Sequence, residues 1–114
     1  MKIALCTNFL QEEHWRSRLC DAVADKFLTI EDCGGIDAAY LPGCAAAVVA
    51  LDGPAGLAVV RTLRESSPLP ILWIADEPDY ALFAYQYRVT EFLLHNATAE
   101  QLSAALTHLE EESA

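Results

Sequence analysis

The chain has 114 residues, and its 17 Asp and Glu outnumber 7 Lys and Arg, for a formal net charge of −10. One domain of this length buries about two thirds of the surface its unfolded chain exposes, and the acidic balance excludes binding that depends on neutralising nucleic-acid phosphates. Hydrophobic residues make up 54% of the sequence, yet Asp52, Pro68 and Pro70 keep every apolar run below the ~18 residues of a membrane-spanning helix. The opening MKIALCTNFLQEEHW passes from one lysine through a short apolar segment directly into charge, without the longer apolar region and cleavage site of a secretory signal. A cytoplasmic protein is therefore expected. Cys6, Cys20, Cys33 and Cys44 lie 11 to 14 residues apart with no C-x-x-C pair, so they read as reduced thiols packed as small apolar groups, not as a zinc or redox site.

KIAL, Lys2 to Leu5, reads as the first strand. Trp15, Leu19, Ala22 and Val23 then recur at i, i+4, i+7 and i+8, one face of a helix from about Gln11 to Asp25. FLTI, Phe27 to Ile30, is the second strand, and the glycine- and proline-containing EDCGGIDAAYLPG predicts a loop with a short helix around Ile36 to Leu41. AAAVVAL, Ala45 to Leu51, is continuously apolar, as a central strand buried on both faces should be. A helix from about Ala55 to Glu65 follows. PILWIA, Pro70 to Ala75, is the fourth strand, opened by a proline that a strand start tolerates. Tyr80, Phe83, Ala84 and Tyr87 give a fourth helix with an aromatic stripe, and EFLL, Glu91 to Leu94, a fifth strand. Thr98 and Gln101 form a capping-box pattern ahead of Leu102, Ala105, Leu106 and Leu109, the apolar face of the last helix.

Five strands and five helices in alternation imply a flavodoxin-like (βα)5 domain over residues 1–114, a doubly wound parallel sheet of strand order 2-1-3-4-5 with helices on both faces. Ligands of such sheets bind outside the carboxyl ends of the strands, beside strands one and three. That end carries Cys6, Thr7 and Asn8, then Asp52 and Gly53, then Ala75 and Asp76, then His95 and Asn96.

The segment PILWIADEPDYALFAYQYRVTEFLLHNATAEQLSAAL, with KIALCTN before it, resembles response-regulator receiver domains of the CheY-like type, above all receivers attached to LytTR-type DNA-binding domains. The resemblance implies a phosphoryl acceptor at the end of strand three, and Asp52 matches that position. It further implies a magnesium-binding acidic pair after strand one, a hydroxyl ending strand four and a lysine ending strand five. This chain has Thr7 and Asn8, Ala75 and His95 there. A hydroxyl and an amide are poor ligands for a hard divalent cation, so Mg²⁺ binding is expected to be weak or absent, with no cofactor. Ala75 cannot hydrogen-bond a phosphoryl oxygen, and an imidazole is shorter than a lysine and carries no permanent charge. The turn LDGPAG is also shorter than the family's loop, and Asn8 with Gln11 suits a helix cap better than a ligand role.

The resulting expectation is a degenerate receiver, a pseudo-receiver that is not an enzyme. It would act in signal transduction or transcription regulation through protein contacts and dimerisation, without phosphorylation. The resemblance places such contacts on the fourth helix, fifth strand and last helix. Phe83, Tyr85, Tyr87 and Phe92 are the candidates there, because the three aromatic residues of one helix cannot all point inward. Two alternatives stay open: a phosphorelay receiver slowly phosphorylated on Asp52, and a sugar-transport-type phosphotransferase component with Cys6 as nucleophile. Neither nucleic acid nor membrane is an expected partner of this domain, and a DNA-binding domain would follow if the chain continued beyond Ala114.

Overall fold

Strands without a polar side chain must be covered on both faces, and the two such runs of this chain form the middle of a sheet. The computed structural model describes residues 2–8, 10–22, 29–32 and 44–113. In it, β1 (Lys2–Thr7), β2 (Thr29–Asp32), β3 (Ala46–Ala50), β4 (Ile71–Ala75) and β5 (Glu91–Leu94) make one five-stranded sheet in the order β2-β1-β3-β4-β5. All four pairings are parallel, with Ile3 opposite Ala46, Val49 opposite Trp73, and Trp73 opposite Phe92. Every residue of β3 and β4 is buried, whereas β5, at the sheet edge, is half-buried throughout.

Four α-helices lie among the described residues: α1 (Glu12–Ala22), α2 (Gly53–Ser66), α3 (Ala81–Gln86) and α4 (Ala99–Ser113). Alternate strand residues face opposite sides, and this divides the core in two. Val48, Ala50, Leu72 and Ile74 pack against Trp15 and Leu19 of α1 and Leu102, Leu106 and Leu109 of α4. Ala47, Val49, Ile71 and Trp73 pack against Val59, Val60 and Leu63 of α2 and Ala84 of α3.

The predicted elements shift at their ends for local reasons. α2 starts at Gly53, two residues early, because Pro54 presets the backbone angle of a first helical turn. Gly56, in that turn, passes so close to the end of β3 that an added β-carbon would lie 2.4 Å from Leu51 O. The fourth predicted helix is shorter than its stripe, since Pro78–Tyr80 is a single 3₁₀ turn and only Ala81–Gln86 is α-helical. A Schellman cap ends it, with Val89 N–H bonded to Ala84 O at 3.0 Å, Arg88 N–H bonded to Tyr85 O at 3.2 Å, and Arg88 at φ 55°. Arg64 ties α2 to this turn by donating to Tyr87 O at 2.7 Å and to Arg88 O at 3.2 Å. Burial lowers its pKa, opposed by the nearby Glu112. The α4 capping box forms as the sequence predicts: Gln101 N–H donates to Thr98 Oγ1 at 3.1 Å and Thr98 N–H to Gln101 Oε1 at 2.8 Å. β2 runs Thr29–Asp32 where Phe27 to Ile30 was expected; Phe27 and Leu28, the end of the first predicted helix at Val23 to Asp25, and the short helix expected at Ile36 to Leu41 lie outside the described residues.

Candidate functional site

Parallel strands bring their carboxyl ends to one edge, so residues distant in sequence meet there. Asp52 follows β3 in an extended conformation at the N-cap of α2, but its side chain makes no capping bond. Its Oδ1 lies 2.6 Å from His95 Nε2. His95 directly follows β5, and its N–H extends the β4–β5 ladder by one bond, to Ala75 O at 3.2 Å. The Nε2 atom is sealed from solvent, yet the carboxylate sits off its N–H axis, so the contact has ion-pair distance without hydrogen-bond alignment. With the Asp52 and His95 side chains 47% and 34% exposed, the pair is a surface one, worth at most about 1 kcal/mol.

The neighbouring polar groups are also committed. Gly53, held at φ 61°, donates its N–H to Asp76 Oδ1 at 3.0 Å. A helix N-terminal N–H is a natural anion site, and here an internal carboxylate fills it. Thr7 Oγ1 donates to Ala50 O at 2.7 Å, and Asn8 Oδ1 accepts the Gln11 N–H at 2.9 Å, which caps the turn into α1. Ala75 is buried, with only a methyl group to offer. Thr7, the last residue of β1, and Asn8 after it thus supply neutral groups already bonded within the protein. Among the described residues no group of three or more His, Cys, Asp or Glu is placed to hold a metal. Cys6 is 3% exposed and packs in the core beneath α2 and α3, so its sulfur is not presented to a phosphate as a nucleophile would be.

A support behind His95 went unnoticed in the sequence. Arg18 donates Nη1 to His95 O at 2.8 Å and Nη2 to Ala97 O, and its Cζ lies 4.6 Å from the Trp15 ring centroid. Trp15 is buried and meets the His95 ring edge-on at 5.7 Å. Thus α1 clamps the β5–α4 turn that presents His95. The available signal was spacing, since Arg18 stands three residues from Trp15 and shares its face.

The four interface candidates divide. Tyr85 is 89% exposed and Phe83 38%. Tyr87 and Phe92 are instead half-buried against the core, with Phe92 edge-on to Trp73 at 5.5 Å. Leu82, 80% exposed, belongs to the surface and was missed, although it lies one turn from Tyr85. A groove of ≈ 290 Å³ is lined by Pro78, Ala81, Phe92, Leu94, Ala97 and Gln101, among others. At the edge of this face His108 Nδ1 bonds Glu91 Oε1, which raises the His108 pKa above 6.5.

No family model and no curated protein matches the chain. Solved structures do match. A pilus assembly-related protein from Burkholderia pseudomallei superposes with TM-score 0.80 at 18% identity, covering 100% of this chain and 92% of that one. A pilus assembly protein, CpaE, from Burkholderia thailandensis gives TM-score 0.77 at 17% identity, with 97% and 98% covered. A response regulator receiver protein from Pseudoalteromonas atlantica gives 0.75 at 13% identity, with 100% of both chains covered. At such identities the likeness establishes the fold alone, a parallel five-stranded α/β sheet shared with these structures. Among the described residues no helix is long and apolar enough to cross a membrane.

Proposed function

We propose that this domain is a pseudo-receiver: a receiver-type signalling module whose acceptor site is closed to phosphoryl transfer and which works through protein contacts. The observation that carries the reading is the set of internal partners at the strand ends, Asp52 to His95, Gly53 N–H to Asp76, Thr7 to Ala50 and Asn8 to the start of α1. Transfer to a carboxylate gathers several negative oxygens at one point, and its catalysis rests on positioned positive charge. Here the chain supplies no lysine at the end of β5, while the Asp76 carboxylate adds negative charge where an incoming anion would bind. The output surface is the α3–β5–α4 face, engaged by a second copy or by another protein. In a longer protein the same face would regulate a following DNA-binding domain. The pilus assembly proteins among the structural neighbours support a further setting, in which the fold serves as a contact module of an assembly system.

Incubation with acetyl phosphate and Mg²⁺, followed by intact mass measurement, tests the closed site. The expected spectrum is unchanged. A stable phosphoryl adduct that Asp52→Asn abolishes would overturn the proposal in favour of a slow phosphorelay receiver.

A further inference from the structure

We infer that a polar cleft at the amino ends of β4 and β5 binds a small dipolar molecule of the amino-acid class, one that carries both a carboxylate and an ammonium; the inference goes beyond the contact-module reading and does not depend on it. The cleft, of ≈ 640 Å³, is lined by residues 64–68, where α2 ends and the chain turns toward β4, by Arg88 ahead of β5 and by Glu112 on α4. It lies at the end of the sheet opposite Asp52. Arg88 supplies the first reason. It occupies the left-handed position of the Schellman cap at φ 55°, a place that glycine takes freely and other residues take under strain. The fold uses its backbone, with its N–H donated to Tyr85 O at 3.2 Å and its carbonyl accepting from Arg64 at 3.2 Å. Its side chain is exposed and, among the described residues, makes no hydrogen bond or ion pair. A strained conformation kept for a side chain that the fold leaves unused points to a partner outside the chain. A guanidinium fork matches the two oxygens of a carboxylate.

Charge balance selects the ligand. Arg64 and Arg88 share the cleft with Glu65 and Glu112, so its lining is neutral in a chain of net charge −10. Arg64 is fixed by donating Nε to Tyr87 O at 2.7 Å, Nη1 to Ser67 O at 3.2 Å and Nη2 to Arg88 O at 3.2 Å, which leaves an N–H on each terminal nitrogen. Glu112 Oε2 accepts the Thr90 hydroxyl at 2.6 Å, and its other oxygen remains. Arg88 and Glu112 both act on the Arg64 charge, in opposite senses, yet no two of the four side chains form an ion pair with each other. Opposite charges thus stand around one cavity without closing on each other. A simple anion would meet the two glutamates, and a simple cation the two arginines. A molecule with a carboxylate at one end and an ammonium at the other satisfies both. Apart from Pro68 the lining is polar, which suits a ligand without a large apolar side chain.

The test titrates the full isotope-labelled chain with L-serine, L-glutamine and glycylglycine singly, following the amide resonances by NMR, with acetate and ethylammonium as comparators of one charge each. A dipolar probe should give saturable shifts confined to residues 64–67, Arg88, Thr90 and Glu112, and each comparator should bind about tenfold more weakly. Arg88→Gly should weaken binding about tenfold while leaving Tm equal or higher, because glycine adopts φ 55° without strain. Glu65→Gln, at an exposed position, should weaken it as well. No saturation by any of the three probes, a comparator that binds as tightly as they do, or affinity unchanged in either variant would each overturn the inference. A lower Tm in Arg88→Gly would assign Arg88 to the fold and overturn it too. Those failures leave the contact-module reading standing, whereas phosphorylation of Asp52 would remove that reading without altering the titration.

Discussion

Arg18→Ala measures how firmly α1 holds the turn that carries His95. The arginine spans two carbonyls, His95 O at 2.8 Å and Ala97 O, and covers the Trp15 ring from 4.6 Å. A hydrogen bond from a charged donor is worth about 1.5–3 kcal/mol, and an exposed cation–π contact about 0.5–1 kcal/mol. Arg18 is only half-buried, so water takes over part of the carbonyls' demand in the variant, and the net loss should be about 2 kcal/mol. For a domain of this size that lowers Tm by about 8 °C. Urea unfolding should show a lower midpoint with an unchanged slope. Arg18→Lys keeps a point charge but lacks the planar fork that reaches both oxygens, so it should recover no more than half of the loss. A loss below about 0.5 kcal/mol, the range of an ordinary surface substitution, would refute the clamp, as would a Lys variant as stable as the wild type.

Gly56→Ala should destabilise the domain by about 1–3 kcal/mol, because its β-carbon would meet Leu51 O at 2.4 Å and α2 must move off the sheet; an equal urea midpoint would contradict the close approach. Thr98→Ala removes the side-chain half of the α4 capping box and should cost about 1 kcal/mol in the same assay. His108 titrates above 6.5 because Glu91 accepts its ring N–H and adds a negative charge beside it. A pKa raised on folding means that the protonated form favours the folded state, so this contribution is complete below 6.5 and vanishes as pH rises through the folded value. Glu91→Gln should bring the His108 ring resonances back toward the unperturbed titration in NMR, and an unmoved curve would exclude Glu91 as the cause.

The elements themselves were legible because their signals are local. The unbroken apolar runs of β3 and β4, the period of the α1 face and the Thr98–Gln101 box depend on residues within one turn or one strand, and each took the expected form. The misread boundaries were also local: the stripe from Tyr80 to Tyr87 suggested one helix, but Tyr80 closes a 3₁₀ turn and α3 ends at Gln86, and Pro54 moved α2 forward to Gly53. Two aromatic interface candidates, Tyr87 and Phe92, are half-buried against the core: Tyr87 is the C-cap that ends α3 and Phe92 lies on β5, and the spacing of an aromatic stripe does not say which of its residues the sheet covers.

For the site, the sequence by itself determined the inventory: an Asp just past β3, a hydroxyl and an amide where β1 ends, a methyl group at the end of β4 and an imidazole after β5. Only the tertiary structure decided what those groups do. Asp52 faces His95, Asp76 fills the N–H of Gly53, and Arg18 reaches a carbonyl 77 residues away. The physical reason is that these contacts are set by the register and stagger of parallel strands and by the placement of α1 against them. Such long-range geometry leaves no periodic mark on the chain, whereas burial and capping do.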